Sequence, residues 1–367
     1  MRSITETFHE VLKKAKAIGA SDIHIGTKTK WKFRVHGRIV SIKQLPILKL
    51  EECEELVRHL VEESGIIAAD QTEAFLGELR DFDCSYALAG VSRFRVNICR
   101  QRGTFAVVLR TIPIQIPSID SLRLPEVIRQ IASEERGLVL VTGVTGSGKS
   151  TTLAAIVNEI NQTKPCKVVT IEDPIEFLHQ ELKASVIQRE VGTDTESFAK
   201  ALRAALRQDP DVVLVGEMRD KETIDIALKA AETGHLVLST LHTVDAPKTI
   251  QRIISVFELS EQKTVRLRLG ETLKAVISQR LVPRQDAGGR IAVLEIMRHT
   301  LSIRDCIENP EKGAAVKDLI ASGRNQYGMQ TFDQHLMDLF QEGVIDLEIA
   351  KAASSSPAEF ERNVQFQ

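Results

Sequence analysis

Residues 137–150 read Gly137-Leu138-Val139-Leu140-Val141-Thr142-Gly143-Val144-Thr145-Gly146-Ser147-Gly148-Lys149-Ser150. The first six form a short apolar run of the kind that suits a strand buried on both faces. The next eight match GxxxxGK[ST], placed between that strand and a helix expected to begin near Thr151. In this arrangement backbone N–H groups curl around phosphates at a helix N-terminus. Lys149 is then placed to reach the β and γ phosphates of ATP, and the Ser150 hydroxyl to ligate Mg²⁺. Thr145, Gly146, Ser147, Gly148 and Thr151 complete the expected cradle.

Outward from this loop the same pattern repeats. Lys167 to Ile171, Asp211 to Val215, His235 to Thr240 and Arg290 to Glu295 are further apolar runs, each expected as a buried parallel strand. Between them Phe198, Leu202, Ala205 and Leu206, then Ile224, Ala227, Leu228 and Ala231, recur at helical spacing. Alternating strands and helices imply an α/β sheet. Beyond residue 296 the chain reads as helical, with Phe332, Leu336, Leu339 and Phe340 forming a stripe after the N-cap Thr331. Residues 354–367 read as a frayed, flexible tail.

The first 110 residues follow a different grammar: a helix, short strands around a His36-Gly37 turn, helices over Leu50 to Ala69, and a final hairpin. The hairpin strands, Ser92 to Ile98 and Thr104 to Arg110, flank Gly103. Period-two alternation puts Arg93, Arg95 and Asn97 on one face and Phe94, Val96 and Ile98 on the core face. The three prolines between Thr111 and Pro125 disfavour a continuing sheet. The expected division is an α+β domain over 1–112, a linker over 113–122, an ATPase domain with C-terminal helices over 123–353, and the tail.

Three further segments bear on chemistry. Val212 to Glu217 is an apolar strand that delivers an acid to the carboxyl edge of the sheet, making Glu217 the residue expected to polarise water. The position where many such sites carry a magnesium-holding Asp is Gly216. Thr170 to Glu176 places Glu172, Asp173 and Glu176 after another strand, so Glu176 or Glu172 is a candidate to assist the metal or the water, or else solvated surface. His235 and His242 are separated by a strand's length, up to ~23 Å at ~3.3 Å per residue. Only His242, at the carboxyl end, is expected to reach a γ-phosphate; His235 is expected in a structural or subunit-contact role. Arg93, Arg95, Arg100, Arg102 and Arg110 crowd the hairpin. An open-sheet phosphate site commonly recruits an arginine from a neighbouring subunit, which implies a ring; a solvated basic face is the alternative for each arginine.

Composition narrows the classes. The 367 residues fit two domains, and 48 Lys+Arg against 50 Asp+Glu leave a formal net charge of -2. That near-neutrality argues against nucleic acid as a partner. Five scattered cysteines without a CxxC pair read as reduced thiols. Met1 to Ala20 alternates charged and apolar residues and lacks the core of a secretory signal, and charges interrupt every apolar run before membrane-spanning length.

Taken together, these residues resemble the type II/IV secretion ATPase superfamily, and within it the PilT-like pilus retraction ATPases. The segments that carry the likeness are Ala20-Ser-Asp-Ile-His24, Arg93-Phe-Arg-Val-Asn97, Arg136 through Leu153, Ile171-Glu-Asp-Pro-Ile-Glu176, Asp209 through Arg219, Thr233-Gly-His235 and Gly328-Met-Gln-Thr-Phe-Asp333. In that family the second acidic motif is Gly-Glu, as at Gly216-Glu217. The resemblance implies a PAS-like N-terminal domain, a RecA-like C-terminal domain, and a homo-hexamer with ATP and Mg²⁺ held between subunits. It assigns Lys149, Ser150, Glu176, Glu217 and His242 to the nucleotide site, with Arg95 and Arg110 arriving from across the interface. It further implies ATP-powered pilus retraction in twitching motility and a cytoplasmic location against the inner face of the inner membrane. The implied partners are the inner-membrane pilus platform protein and an assembly ATPase or other pilus-machinery proteins. One family segment, Ala-Ile-Arg-Asn-Leu-Ile-Arg-Glu, is represented by Ser302 to Asn309, which keeps Ile303, Arg304 and Ile307.

Other readings differ in kind. A pilus-assembly or type II secretion ATPase of the same superfamily usually carries paired Cys-x-x-Cys motifs for zinc, absent here. A RecA-like nucleic-acid motor calls for a basic channel, and a pseudo-ATPase scaffold is at odds with intact Lys149, Ser150 and Glu217.

Overall fold

The computed structural model describes residues 3–35, 37–42, 45–112, 115–286 and 288–365. The chain divides into two compact units, one of Met1–Gln115 with Glu176–Leu178 and Gly192–Asp194, the other of Ile116–Ile175, His179–Val191 and Thr195–Gln367. The division at Gln115 falls inside the stretch 113–122, of which Pro113 and Ile114 lie outside the described residues.

In the first unit, helix α1 (Ile4–Ala17) precedes β1 (Asp22–Gly26), β2 (Lys32–Val35) and β3 (Arg38–Ser41). His36, expected in the turn between β2 and β3, lies outside the described residues. Helices α2 (Leu50–Glu63) and α3 (Thr72–Glu78) lead to β4 (Asp81–Leu88), β5 (Ser92–Gln101) and β6 (Thr104–Ile112). The six strands form one antiparallel sheet in the order β3-β2-β1-β6-β5-β4. Ser3 opens α1 with a capping box to Glu6, and Phe8, Val11 and Leu12 bury its apolar stripe among Leu56, Leu60, Phe94, Val96 and Ile98. The β5–β6 hairpin turns at Arg102 and Gly103, both at positive φ (50° and 78°), as a two-residue turn that matches strand twist requires. Along β5 burial alternates, with Phe94, Val96 and Ile98 inside and Arg95 exposed.

The second unit holds a seven-stranded sheet. Its strands are β7 (Gly137–Thr142), β8 (Lys167–Glu172), β9 (Ser185–Glu190), β10 (Val212–Val215), β11 (Leu236–Leu241), β12 (Leu273–Pro283) and β13 (Arg290–Arg298). They lie in the order β13-β12-β7-β11-β10-β8-β9. Six run parallel to one another, but β13 pairs antiparallel with β12, which corrects the expectation for Arg290 to Glu295. Residues 284–289 alone connect β12 to β13, too few for a parallel crossover. Strands β9 and β12 went unread, since β9 is a half-buried edge and β12 interrupts its apolar run with Ser278, Gln279 and Arg280.

Helices α4 (Val127–Ala132), α5 (Lys149–Thr163), α6 (Phe198–Ala205), α7 (Lys221–Glu232), α8 (Ala246–Ser255), α9 (Leu259–Thr272) and α10 (Leu301–Glu308) clothe the sheet. Leu138 and Leu140 of β7 enter one core with α6, α7 and α8, while Val139 and Val141 enter another with α4 and α5. Burial on both faces explains the uninterrupted apolar runs. In α10 the retained Ile303 and Ile307 are buried core residues, and the retained Arg304 bonds Glu308 and Glu271. A third core gathers Val282, Val293, Phe332, Leu336 and Leu339. Residues 354–365 are no frayed tail: helix Pro357–Gln365 inserts Phe360, 3 % exposed, into that core. Its few apolar positions had hidden it from periodicity; Phe366 and Gln367 lie outside the described residues.

Candidate active site

Parallel strands place their successive loops at one edge, so β7, β8, β10 and β11 deliver their carboxyl ends together. The loop after β7 turns through Gly143, Gly146 and Gly148 at φ of 147°, 80° and 89°, values that L side chains rarely adopt. A Cβ at Gly143 would sit 2.5 Å from the Gln279 carbonyl oxygen, whereas Gly146 faces open space. Helix α5 starts at Lys149 directly behind the αL residue Gly148, so the backbone N–H groups of its first turn, which have no intrahelical partner, lie next to the loop. Val144, Thr145 and Gly146 are exposed, Gly148, Ser150 and Thr151 half-buried, and Ser147 and Lys149 buried. The Ser147 Oγ is buried without a hydrogen-bond partner among the described residues.

Lys149 Nζ donates to the carbonyls of Gly143 (2.9 Å) and Val144 (3.2 Å) and lies 3.4 Å from His242 Nδ1. An ammonium only donates, so Nδ1 is the acceptor and the ring proton sits on Nε2. That Nε2 is 3.2 Å from Glu217 Oε1, and Glu217 Oε2 is 2.7 Å from Arg219 Nη2. Lys149, His242, Glu217 and Arg219 therefore form one chain of contacts across the edge. Strand order is the cause: β11, which His242 directly follows, lies between β7 and β10. Burial opposes the charged form of Glu217, but the Arg219 guanidinium and His242 outweigh it and hold the carboxyl below its usual range. Glu217 is thus ionised and oriented at neutral pH. Beside it, Glu172 Oε1 accepts from Thr170 Oγ1 (2.7 Å) and Gln188 Nε2 (3.2 Å).

His235 is separate from this chain. Its Nδ1 donates to the Ala230 carbonyl (3.0 Å) at the amino end of β11, a local tie between α7 and the strand. Glu176 is exposed and belongs to the first unit, as do Arg95 and Arg110. Those two arginines face each other in cross-strand register, and Arg110 Nε donates to Asp22 Oδ1 (2.9 Å). Burial opposes charge on Asp22, yet Arg110, Ser21 and Arg34 leave its carboxyl below the usual range.

Two site residues escaped the sequence reading. Arg219 stands two positions after Glu217, a visible spacing with no visible partner. Gln279 sits in unread β12, donating Nε2 to the Ser147 carbonyl (2.6 Å) and accepting from Thr152 Oγ1 (2.7 Å).

The family model described as "Type II/IV secretion system protein" matches residues 1–334. The chain belongs to this family. Among type II/IV secretion system proteins it is 46% identical over 318 residues to a "Twitching motility protein" of Neisseria gonorrhoeae, covering 87% of this chain and 82% of that one. It is 44% identical over 351 residues to the "Type IV pilus retractation ATPase PilT" of Pseudomonas aeruginosa, covering 96% and 99%. The crystal structure of the pilus retraction motor PilT with bound ADP superposes with a TM-score of 0.86 at 44% identity, over 96% of this chain and 98% of that one. The secretion-family fold expected from sequence, a sheet domain followed by an α/β ATPase domain, is the observed one.

Proposed function

We propose that this chain is an ATP hydrolase that powers type IV pilus retraction, and with it twitching motility. The observation that carries the reading is the end-to-end likeness to the retraction ATPase of Pseudomonas aeruginosa, in a chain whose own site joins Lys149 to Glu217 through His242. The glycine turns of the loop, the open space at Gly146 and the buried Lys149 fit a phosphate chain.

In hydrolysis, Lys149 exchanges its carbonyl partners for the β and γ phosphates, whose negative charge binds an ammonium better than neutral carbonyls do. Glu217, held ionised, accepts a proton from the attacking water as its oxygen bonds to the γ-phosphorus, while the bond from that phosphorus to the β–γ bridging oxygen breaks and ADP leaves with the electron pair. His242, carrying its proton on Nε2, donates to Glu217 and so orients the carboxylate that receives the water's proton. Mg²⁺ arrives with the phosphates and asks for only one or two protein oxygens. Ser150 would supply one, and the ion would neutralise charge on the transferring phosphoryl group.

Completion of the site by Arg95 and Arg110 from a neighbour, with Glu176 assisting, belongs to the same proposal, and it requires a ring, read as a homo-hexamer. The ring would work at the cytoplasmic face of the inner membrane against the pilus platform protein. No helix among the described residues is long and apolar enough to cross a membrane. The direct test is deletion of the gene: cells should keep as many surface pili or more, and lose twitching. Bald cells would show a motor that pushes, and retraction would be abandoned with the ATP chemistry intact.

A further inference from the structure

We propose that Gln279 is a positioning residue for the phosphate loop, which sets nucleotide affinity by holding the Ser147 carbonyl on β12. The inference rests on the nucleotide reading of Gly143 to Ser150.

Strand β12 runs parallel to β7, with Ser278 level with Thr142, so Gln279 is the first residue past the paired end, beside Gly143. It is 3 % exposed. Its carboxamide donates to the Ser147 carbonyl and accepts from the Thr152 hydroxyl on α5, so both ends of one rigid plane are engaged. Loop and strand are in close contact here: a Cβ on Gly148 would fall 2.8 Å from Gln279 Nε2, and one on Gly143 would fall 2.5 Å from Gln279 O. The Gln279 side chain therefore occupies the space that Gly148 leaves, and its backbone carbonyl the space beside Gly143.

The consequence follows from the planarity of the peptide. In a trans peptide the carbonyl and the next N–H point in opposite directions. Anchoring the Ser147 carbonyl on β12 therefore turns the Gly148 N–H away from the sheet, as a phosphate cradle needs. Thr152 fixes the orientation of the carboxamide, so that the nitrogen and not the oxygen faces Ser147. Glutamine suits the position because it presents one donor and one acceptor; glutamate would set a carboxylate against a carbonyl, and methionine offers neither partner.

The test is binding of a fluorescent ADP analogue and steady-state hydrolysis by the full chain carrying Gln279→Met, with Thr152→Val and Gln279→Glu alongside. Anchoring serves ground and transition states alike, so Gln279→Met should weaken analogue binding and raise KM about tenfold while kcat stays within about twofold. Thr152→Val, which leaves the bond to Ser147 in place, should cost about two- to threefold, and Gln279→Glu more than Gln279→Met. A merely structural role would lower Tm without moving Kd or KM. Folded Gln279→Met with Kd and KM within about twofold of wild type would overturn the proposal. Should Gln279→Met not fold, Thr152→Val carries the test, and unchanged affinity there overturns it. Failure of the unaltered chain to bind the analogue would instead remove the nucleotide reading itself.

Discussion

Replacing His242 by alanine removes the bridge between the two charged ends of the site. In the structure the ring accepts from Lys149 Nζ at 3.4 Å and stands 3.2 Å from Glu217 Oε1. Neither partner is stranded by the loss, since Lys149 keeps the Gly143 and Val144 carbonyls and Glu217 keeps Arg219. The fold should therefore survive, and the cost should appear in the chemistry. A hydrogen bond to a charged group is worth ~1.5–3 kcal/mol, so losing one that acts in the transition state lowers kcat roughly 10- to 150-fold. Nucleotide affinity should change far less, because the phosphate cradle is untouched. The assay is phosphate release with kcat and KM resolved separately, beside thermal melting and binding of an ADP analogue. His235→Ala is the matched comparison: that ring ties the Ala230 carbonyl at the opposite end of the same strand, so kcat should stay within about threefold of wild type. A His242→Ala enzyme with kcat near wild type, or a His235→Ala enzyme equally impaired, would refute the reading.

Glu217→Gln should retain nucleotide and lose roughly 10²- to 10⁴-fold in kcat, since the proton acceptor is gone while the cradle remains; lost binding with normal residual turnover would reassign Glu217 to holding the metal. Arg95→Ala should lower turnover without lowering Tm, because it relieves the repulsion between two like charges directly opposed across β5 and β6; Arg110→Ala should lower turnover and also Tm modestly, since buried Asp22 loses one guanidinium and keeps Arg34. An arginine supplied by a neighbour is worth ~10³ to 10⁵ in rate, so mixing either variant with Lys149→Ala subunits should restore activity; no recovery in the mixture would place the whole site within one chain. Glu295, 4 % exposed, accepts the Ala246 N–H at the start of α8 (2.8 Å), and burial pushes its carboxyl above the usual range despite that bond. The native state thus binds this proton more tightly than the unfolded chain. Its stabilisation is full below the ordinary glutamate value and is lost as pH rises through the raised native one. Glu295→Gln keeps the acceptor without the charge, so its Tm relative to wild type should improve from acid to neutral pH, and melting curves showing the opposite trend would contradict the assignment.

Local sequence sufficed wherever one segment carries a complete physical instruction. The loop Gly143 to Ser150 was legible because glycines at positive φ, a lysine and a hydroxyl must be adjacent to wrap phosphates, and the strand before it because burial on both faces forbids polar residues. The β5–β6 hairpin was legible for a similar reason, since its turn and its alternation are nearest-neighbour matters. Glu217 and His242 were each placed at a strand's carboxyl end by their own apolar runs. That they meet was not legible, because it depends on β11 lying between β7 and β10, an order fixed by which helices cover which face and by no spacing along the chain. Gln279 was hidden for the same reason: its polar side chain breaks the apolar pattern of β12, and only the neighbouring loop, more than a hundred residues earlier, supplies its partners. The helix Pro357–Gln365 was missed because a single buried Phe360 anchors it, and one residue makes no periodicity. Sequence thus determined the elements and their chemistry. The tertiary structure decided which of them touch, because hydrogen bonds such as those of His242 and Gln279 depend on distances set by packing between segments remote in the chain.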